Sequence, residues 1–134
     1  VLIKSFGEYL KFFENYYQET SWTKNIDGKS ITITIKDVEN LLSKMSAPVE
    51  NIKVSDIVDK CVHAGKTDKE TLDRSEESDL KYPIIICRDI NGGLGMIIDG
   101  HHRLFKCMNN NIYKIKARIL DLKNCPESYK VMFS

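Results

Sequence analysis

Three adjacent polar side chains, His101, His102 and Arg103, follow an Asp99-Gly100 break and lead into an apolar segment, Leu104-Phe105-Lys106-Cys107-Met108. That order of residue types suits an anion. A helix start presents unpaired backbone N–H groups and the positive end of the helix dipole. Gly100 lets the backbone turn sharply and approach a ligand with no Cβ in the way. Arg103 supplies a planar fork of donors matched to phosphate oxygens. His101 and His102 add donors whose charge responds near neutral pH. Gly100, His101, His102 and Arg103, joined by Lys106, are therefore the expected phosphate-binding residues. Asp-Gly is also a common turn, and histidines at helix starts often only cap, so a structural role fits the same residues. Shared metal ligation by Asp99, His101 and His102 is disfavoured, because adjacent helical side chains diverge by about 100°. No protein metal site is expected.

Two strands must deliver this turn. Tyr82 to Cys87 is a short apolar run, Asn91-Gly92-Gly93 a turn, and Met96-Ile97-Ile98 a second run. Further upstream, Leu2, Phe6, Leu10, Phe13 and Tyr17 predict an amphipathic helix over residues 1–19. Turn chemistry at Asn25 to Lys29 precedes Ile31 to Ile35, whose alternating β-branched residues predict a half-buried strand. Asp37 to Met45 reads as a short helix ended by Pro48. Val49 to Val54 reads as a strand, followed by a helical segment from Ser55. Thr67-Asp68-Lys69-Glu70 has the form of a capping box with Thr67 as the cap, opening an acidic stretch that fits a solvated helix face or a lid. Gly65-Lys66-Thr67 looks like the end of a Walker loop, but no glycine stands five residues before Gly65. Ile112 to Leu122 predicts a strand with Ile115, Ala117 and Ile119 on one face and Lys114, Lys116 and Arg118 on the other. Pro126 opens a closing helix that carries Tyr129, Met132 and Phe133. The whole predicts an α+β fold, with residues 1–46 an N-terminal extension packed on a core of residues 47–134.

Composition narrows the function classes. A chain of 134 residues, 42% hydrophobic, can bury a core without disulfides or a metal. A net charge of +1 argues against a binder that tracks nucleic-acid phosphates. Cys61, Cys87, Cys107 and Cys125 form no Cys-x-x-Cys pair, which fits reduced core thiols and a cytoplasmic location. No apolar run approaches the roughly 18 residues of a membrane span, so no membrane partner is expected.

Tyr82 to Ile86, Ile97-Ile98-Asp99-Gly100-His101-His102-Arg103-Leu104 and the strand Ile115 to Leu120 together resemble the ParB/sulfiredoxin-like superfamily. The resemblance spans roughly residues 49–122. It implies a small mixed sheet flanked by helices, in which the Gly-led turn holds the phosphates of CTP or ATP. The Asp-Gly-His-His-Arg form is most similar to the free serine kinase branch, whose motif binds ADP phosphates during phosphoryl transfer. His101 stands where sulfiredoxins place their reactive cysteine, so sulfinic-acid repair is not implied. Too little chain follows Leu122 for the helix-turn-helix of the partition proteins.

The expected function is a nucleotide-binding enzyme that transfers or hydrolyses a phosphoryl group, with ATP, ADP or CTP as the nucleotide and a small molecule as acceptor. Arg103, His102 and the backbone amides would hold the phosphates. Asp99 would hold a divalent ion such as Mg2+ or orient a histidine. Asp59 or Glu50, by alignment with the kinase branch, would serve as base, and His101 completes the catalytic candidates. A second reading is a nucleic-acid-binding or nuclease-type module that uses Lys114, Lys116 and Arg118. A third is a non-catalytic domain that binds another protein through the N-terminal aromatic helix; a homodimer is a separate expectation, with no surface assigned to it.

Overall fold

The structure is a computed structural model and describes residues 20–134; the helix expected over residues 1–19 lies outside the described residues. Strands β1 (Ser21–Ile26) and β2 (Lys29–Thr34) pair antiparallel around Asp27-Gly28, both at positive φ, 52° and 79°. Two left-handed residues match the twist of a tight hairpin. Helix α1 (Ile35–Lys44) follows at once. Thr34 caps it: its hydroxyl accepts the Asp37 N–H at 3.1 Å and the Asp37 carboxylate accepts the Thr34 N–H at 2.9 Å. These two bonds satisfy donors that a helix start leaves open.

A four-stranded sheet carries the rest. It comprises β3 (Val49–Lys53), β4 (Ile84–Arg88), β5 (Leu94–Asp99) and β6 (Lys114–Asp121), in the spatial order β3-β6-β4-β5. β4 and β6 run parallel, so the chain must cross over between them. The crossover consists of β5 and α3 (His101–Asn109). Alternation along the strands builds two cores. Ile84, Ile86, Ile97, Ile115 and Ala117 pack with Leu104, Phe105 and Cys107 of α3. Ile85, Cys87, Ile98 and Leu120 pack with Ile33, Ile35, Val38 and Leu42, and with Met132 and Phe133 of the closing helix α4 (Glu127–Phe133). Covering both faces is why β4 reads as an unbroken apolar run rather than an alternating one.

Two local expectations change. The segment from Ser55 is not one helix but two 3-10 turns, Val54–Asp56 and Val58–Lys60, which bury Val54 and Ile57 and leave the residues between them outside. Helix α2 (Lys69–Glu77) is capped by Asp68, not Thr67: the Asp68 carboxylate accepts the Thr71 N–H at 3.0 Å and the Thr71 hydroxyl at 2.6 Å.

Candidate functional site at the start of helix α3

The β4–β5 register sets Asp99 opposite Ile85, at the end of the sheet, and the chain must turn there to enter α3. Gly100 makes the turn at φ 104°. A Cβ on Gly100 would meet Ile84, whose own Cβ would lie only 2.8 Å away. The first turn of α3 therefore sits hard against β4, and glycine is required both by dihedral and by space. Among the described residues no side chain caps this helix start. Arg103 folds back over the bend. Its Nη2 lies 3.1 Å from the position a Gly100 Cβ would take and donates to Asp99 Oδ2 at 3.0 Å, with both side chains largely shielded from water.

The histidines hold this bend rather than line it with charge. His101 Nδ1 accepts the Val62 N–H at 3.4 Å, and the ring bonds a second time with the Ile97 backbone. His102 Nδ1 lies 3.2 Å from the Ser75 hydroxyl of α2. His63 stacks on His102, ring centroids 4.2 Å apart and planes 25° apart, and meets His101 edge-on at 6.2 Å. Burial pushes all three rings below the ordinary histidine range. His102 falls to about 4, burial first and then the neighbouring charges of His63 and Arg74 contributing. At neutral pH the three rings are uncharged. Burial moves the charge response expected of His101 and His102 from near neutral to lower pH, and at neutrality they act as uncharged hydrogen-bonding groups.

Fixed positive charge comes from elsewhere. Besides Arg103, exposed Lys66 and Arg74 lie near enough to act on both His63 and His102. With His63 and Ser75 they are the site neighbours that sequence reading missed. One signal was available: the chain has only three histidines, and all three converge here.

Three expected participants stand apart. Lys106 does not face the bend, because its ammonium donates to the carbonyls of Glu76 and Ser78, both at 2.8 Å, and so closes the C-terminal end of α2. Glu50 lies on β3, the opposite edge of the sheet from β5. Three strand spacings, roughly 14 Å, separate those edges. Glu50 instead borders a cleft of about 230 Å³ that it shares with Met45, Arg88, Ile119 and Asp121. The basic strip on β6 is broken, since Arg118 donates to Glu39 of α1 at 3.1 Å while Lys114 and Lys116 stay exposed. Asp59, by contrast, is exposed two residues before Cys61, whose Sγ is 3.8 Å from the His101 carbonyl.

The chemistry open to this site is binding and electrostatic. Ser75 is fully buried, and burial raises the Cys61 thiol, so neither is an activated nucleophile. Asp99 is spoken for by Arg103, which does not fit an Mg2+ ligand, and no group of three or more His, Cys, Asp or Glu among the described residues is arranged to hold an ion. No helix among the described residues is long and apolar enough to cross a membrane. Comparison of the chain with protein-family models, with curated proteins and with solved structures gave no match.

Proposed function

We propose that the first turn of α3 holds the phosphates of a nucleotide (ATP, ADP or CTP), in a domain of the ParB/sulfiredoxin-like kind that moves a phosphoryl group to or from a small molecule. The observation that carries this reading is the helix start at Gly100, where no side-chain cap bond is made among the described residues, packed so tightly on Ile84 that no side chain fits at the glycine, with Arg103 folded over it. Backbone donors at such a start need a partner, and an anion is the partner they favour. One Arg103 nitrogen is committed to Asp99, and the remaining guanidinium N–H groups are available to phosphate oxygens. Lys66 and Arg74 supply further charge at the rim. The three neutral imidazoles act by shape and hydrogen bonding. Asp59 is the carboxylate that this reading keeps as base, since it stands on the segment that leads to the partners of His101. Glu50 and Lys106 drop out of it.

The test is calorimetric titration of the chain with ATP, ADP and CTP, with and without Mg2+. Arg103→Lys keeps a cation beside Asp99 but loses the planar fork, and is expected to weaken binding at least tenfold without unfolding the protein. Saturating nucleotide, at about 100 times its dissociation constant, should raise stability by about 2.7 kcal/mol. Flat titrations and unchanged melting for all three nucleotides would remove the reading.

A further inference from the structure

We propose that the stack of His63, His101 and His102 is a proton-operated latch, which holds the segment Cys61 to Lys66 on the start of α3 while the rings are neutral and releases it when they are charged. The segment lies outside any helix or strand. Its far part is tied to α3 by the Val62 N–H on His101 Nδ1 and by the His63 ring, stacked on His102 and tilted at 6.1 Å from Phe105. Cys61, buried with Leu104 and Phe105 and with its Sγ on the His101 carbonyl, is the fixed end from which the rest swings. Such a short segment can open without the sheet.

Each ring resists a second proton for a geometric reason. His101 uses Nδ1 as an acceptor for Val62, so protonated Nδ1 would set two N–H groups against each other; the Ile97 backbone beside the ring works the other way and favours its charged form. His63 Nδ1 is shielded from solvent and has no hydrogen-bond partner among the described residues, so a proton there would be buried with no acceptor from them. His102 keeps its Ser75 contact in either form, because a hydroxyl can donate or accept; what opposes its charge is burial first, and then repulsion once the His63 ring stacked 4.2 Å away is charged as well. Lys66 from the segment and Arg74 from α2 add to the penalty, while Asp68 facing His63 and Asp99 facing His101 reduce it. Both carboxylates already have partners, Thr71 and Arg103. The Cys61 thiol stays neutral through burial.

The sign follows from these placements. Released rings take up protons as pH falls through about 6.5, the free histidine value. Latched rings do not, His102 holding out to about 4. Opening is therefore favoured between those limits, about tenfold per pH unit for each proton bound, and is unchanged above about pH 6.5.

Amide NMR of the whole chain from pH 7.5 to 4.5 tests the latch, run without nucleotide because a bound anion would favour charged rings. The Val62 and His63 signals should shift and broaden as pH falls, while the Ile86 amide in β4 stays protected. His101→Asn, whose amide oxygen can stand in for Nδ1 as an acceptor that does not titrate, should move the midpoint down by half a pH unit or more. His63→Phe, which keeps the stack without a proton site, should do the same. Constant signals from residues 61–66, loss of Ile86 in step with them, or wild-type titration in His101→Asn would each overturn the proposal.

Discussion

Gly100 and Arg103 carry the most consequence of any single residues here. Gly100 is held at φ 104° with Ile84 against the place a side chain would occupy. A left-handed backbone costs an ordinary residue roughly 1–2 kcal/mol, and the collision with a fully buried isoleucine adds to it. Gly100→Ala should therefore lower stability by about 2 kcal/mol or more in urea denaturation, far beyond the few tenths expected at an exposed loop glycine. An effect below about 0.5 kcal/mol would show that α3 can back away from β4. The need for glycine was readable from the Asp-Gly pair, but the reason was not. Ile84 is 16 residues earlier, and only the β4–β5 pairing brings it to the bend.

At the level of elements, α2 shows how a cap is chosen. Thr67 and Asp68 are both good capping residues, and the spacing to Glu70 favoured the first. The chain chose Asp68, which takes the extended conformation before the helix and receives two bonds from Thr71. Those bonds, the hydroxyl first, hold the Asp68 carboxyl below the usual carboxylate range. Its contribution is present above the unfolded carboxylate value of about 4 and is lost as pH falls through the lower folded value. Asp68→Ala should lower the melting temperature at pH 7, and the difference from wild type should shrink in acid. Thr67→Ala should leave melting unchanged; the reverse ranking would return the cap to Thr67. The other end of α2 depends on Lys106, which a reading of helix α3 alone had turned toward the ligand. Its position on α3 makes it equally able to reach the neighbouring helix, and the open carbonyls of Glu76 and Ser78 decided the matter.

Across the whole molecule the sheet is covered on both faces, and the cysteines report on that. Cys87 lies in the core under α1 and α4, Cys107 in the core under α3, and all four thiols are buried and unpaired. Burial pushes Cys87 up to about 12 and Cys125 up to about 11. At pH 8 the native protein should show almost no thiol reactivity over minutes with an aromatic disulfide reagent, and denaturant should release all four. Rapid reaction of Cys87 in the native state would mean that the hairpin and α1 do not stay on the sheet. The ion pair of Arg118 with Glu39 belongs to the same arrangement, since it fastens α1 to β6 and takes a basic residue from the strip that a nucleic-acid surface would need.

The sequence by itself determined the local pieces: a turn at Asp27-Gly28, though not the strand Ser21–Ile26 before it, strands where β-branched residues run together, and a glycine-led helix behind two apolar strands. Those features depend on neighbours a few residues apart, so backbone sterics and side-chain periodicity are enough to fix them. Only the tertiary structure decided that His63 joins His102, that Lys66 and Arg74 stand at the rim, and that Glu50 faces the far edge. The strand order β3-β6-β4-β5 sets those distances. Strand order is chosen by how two apolar faces are buried at once, a condition on the whole chain that no short stretch of residues records.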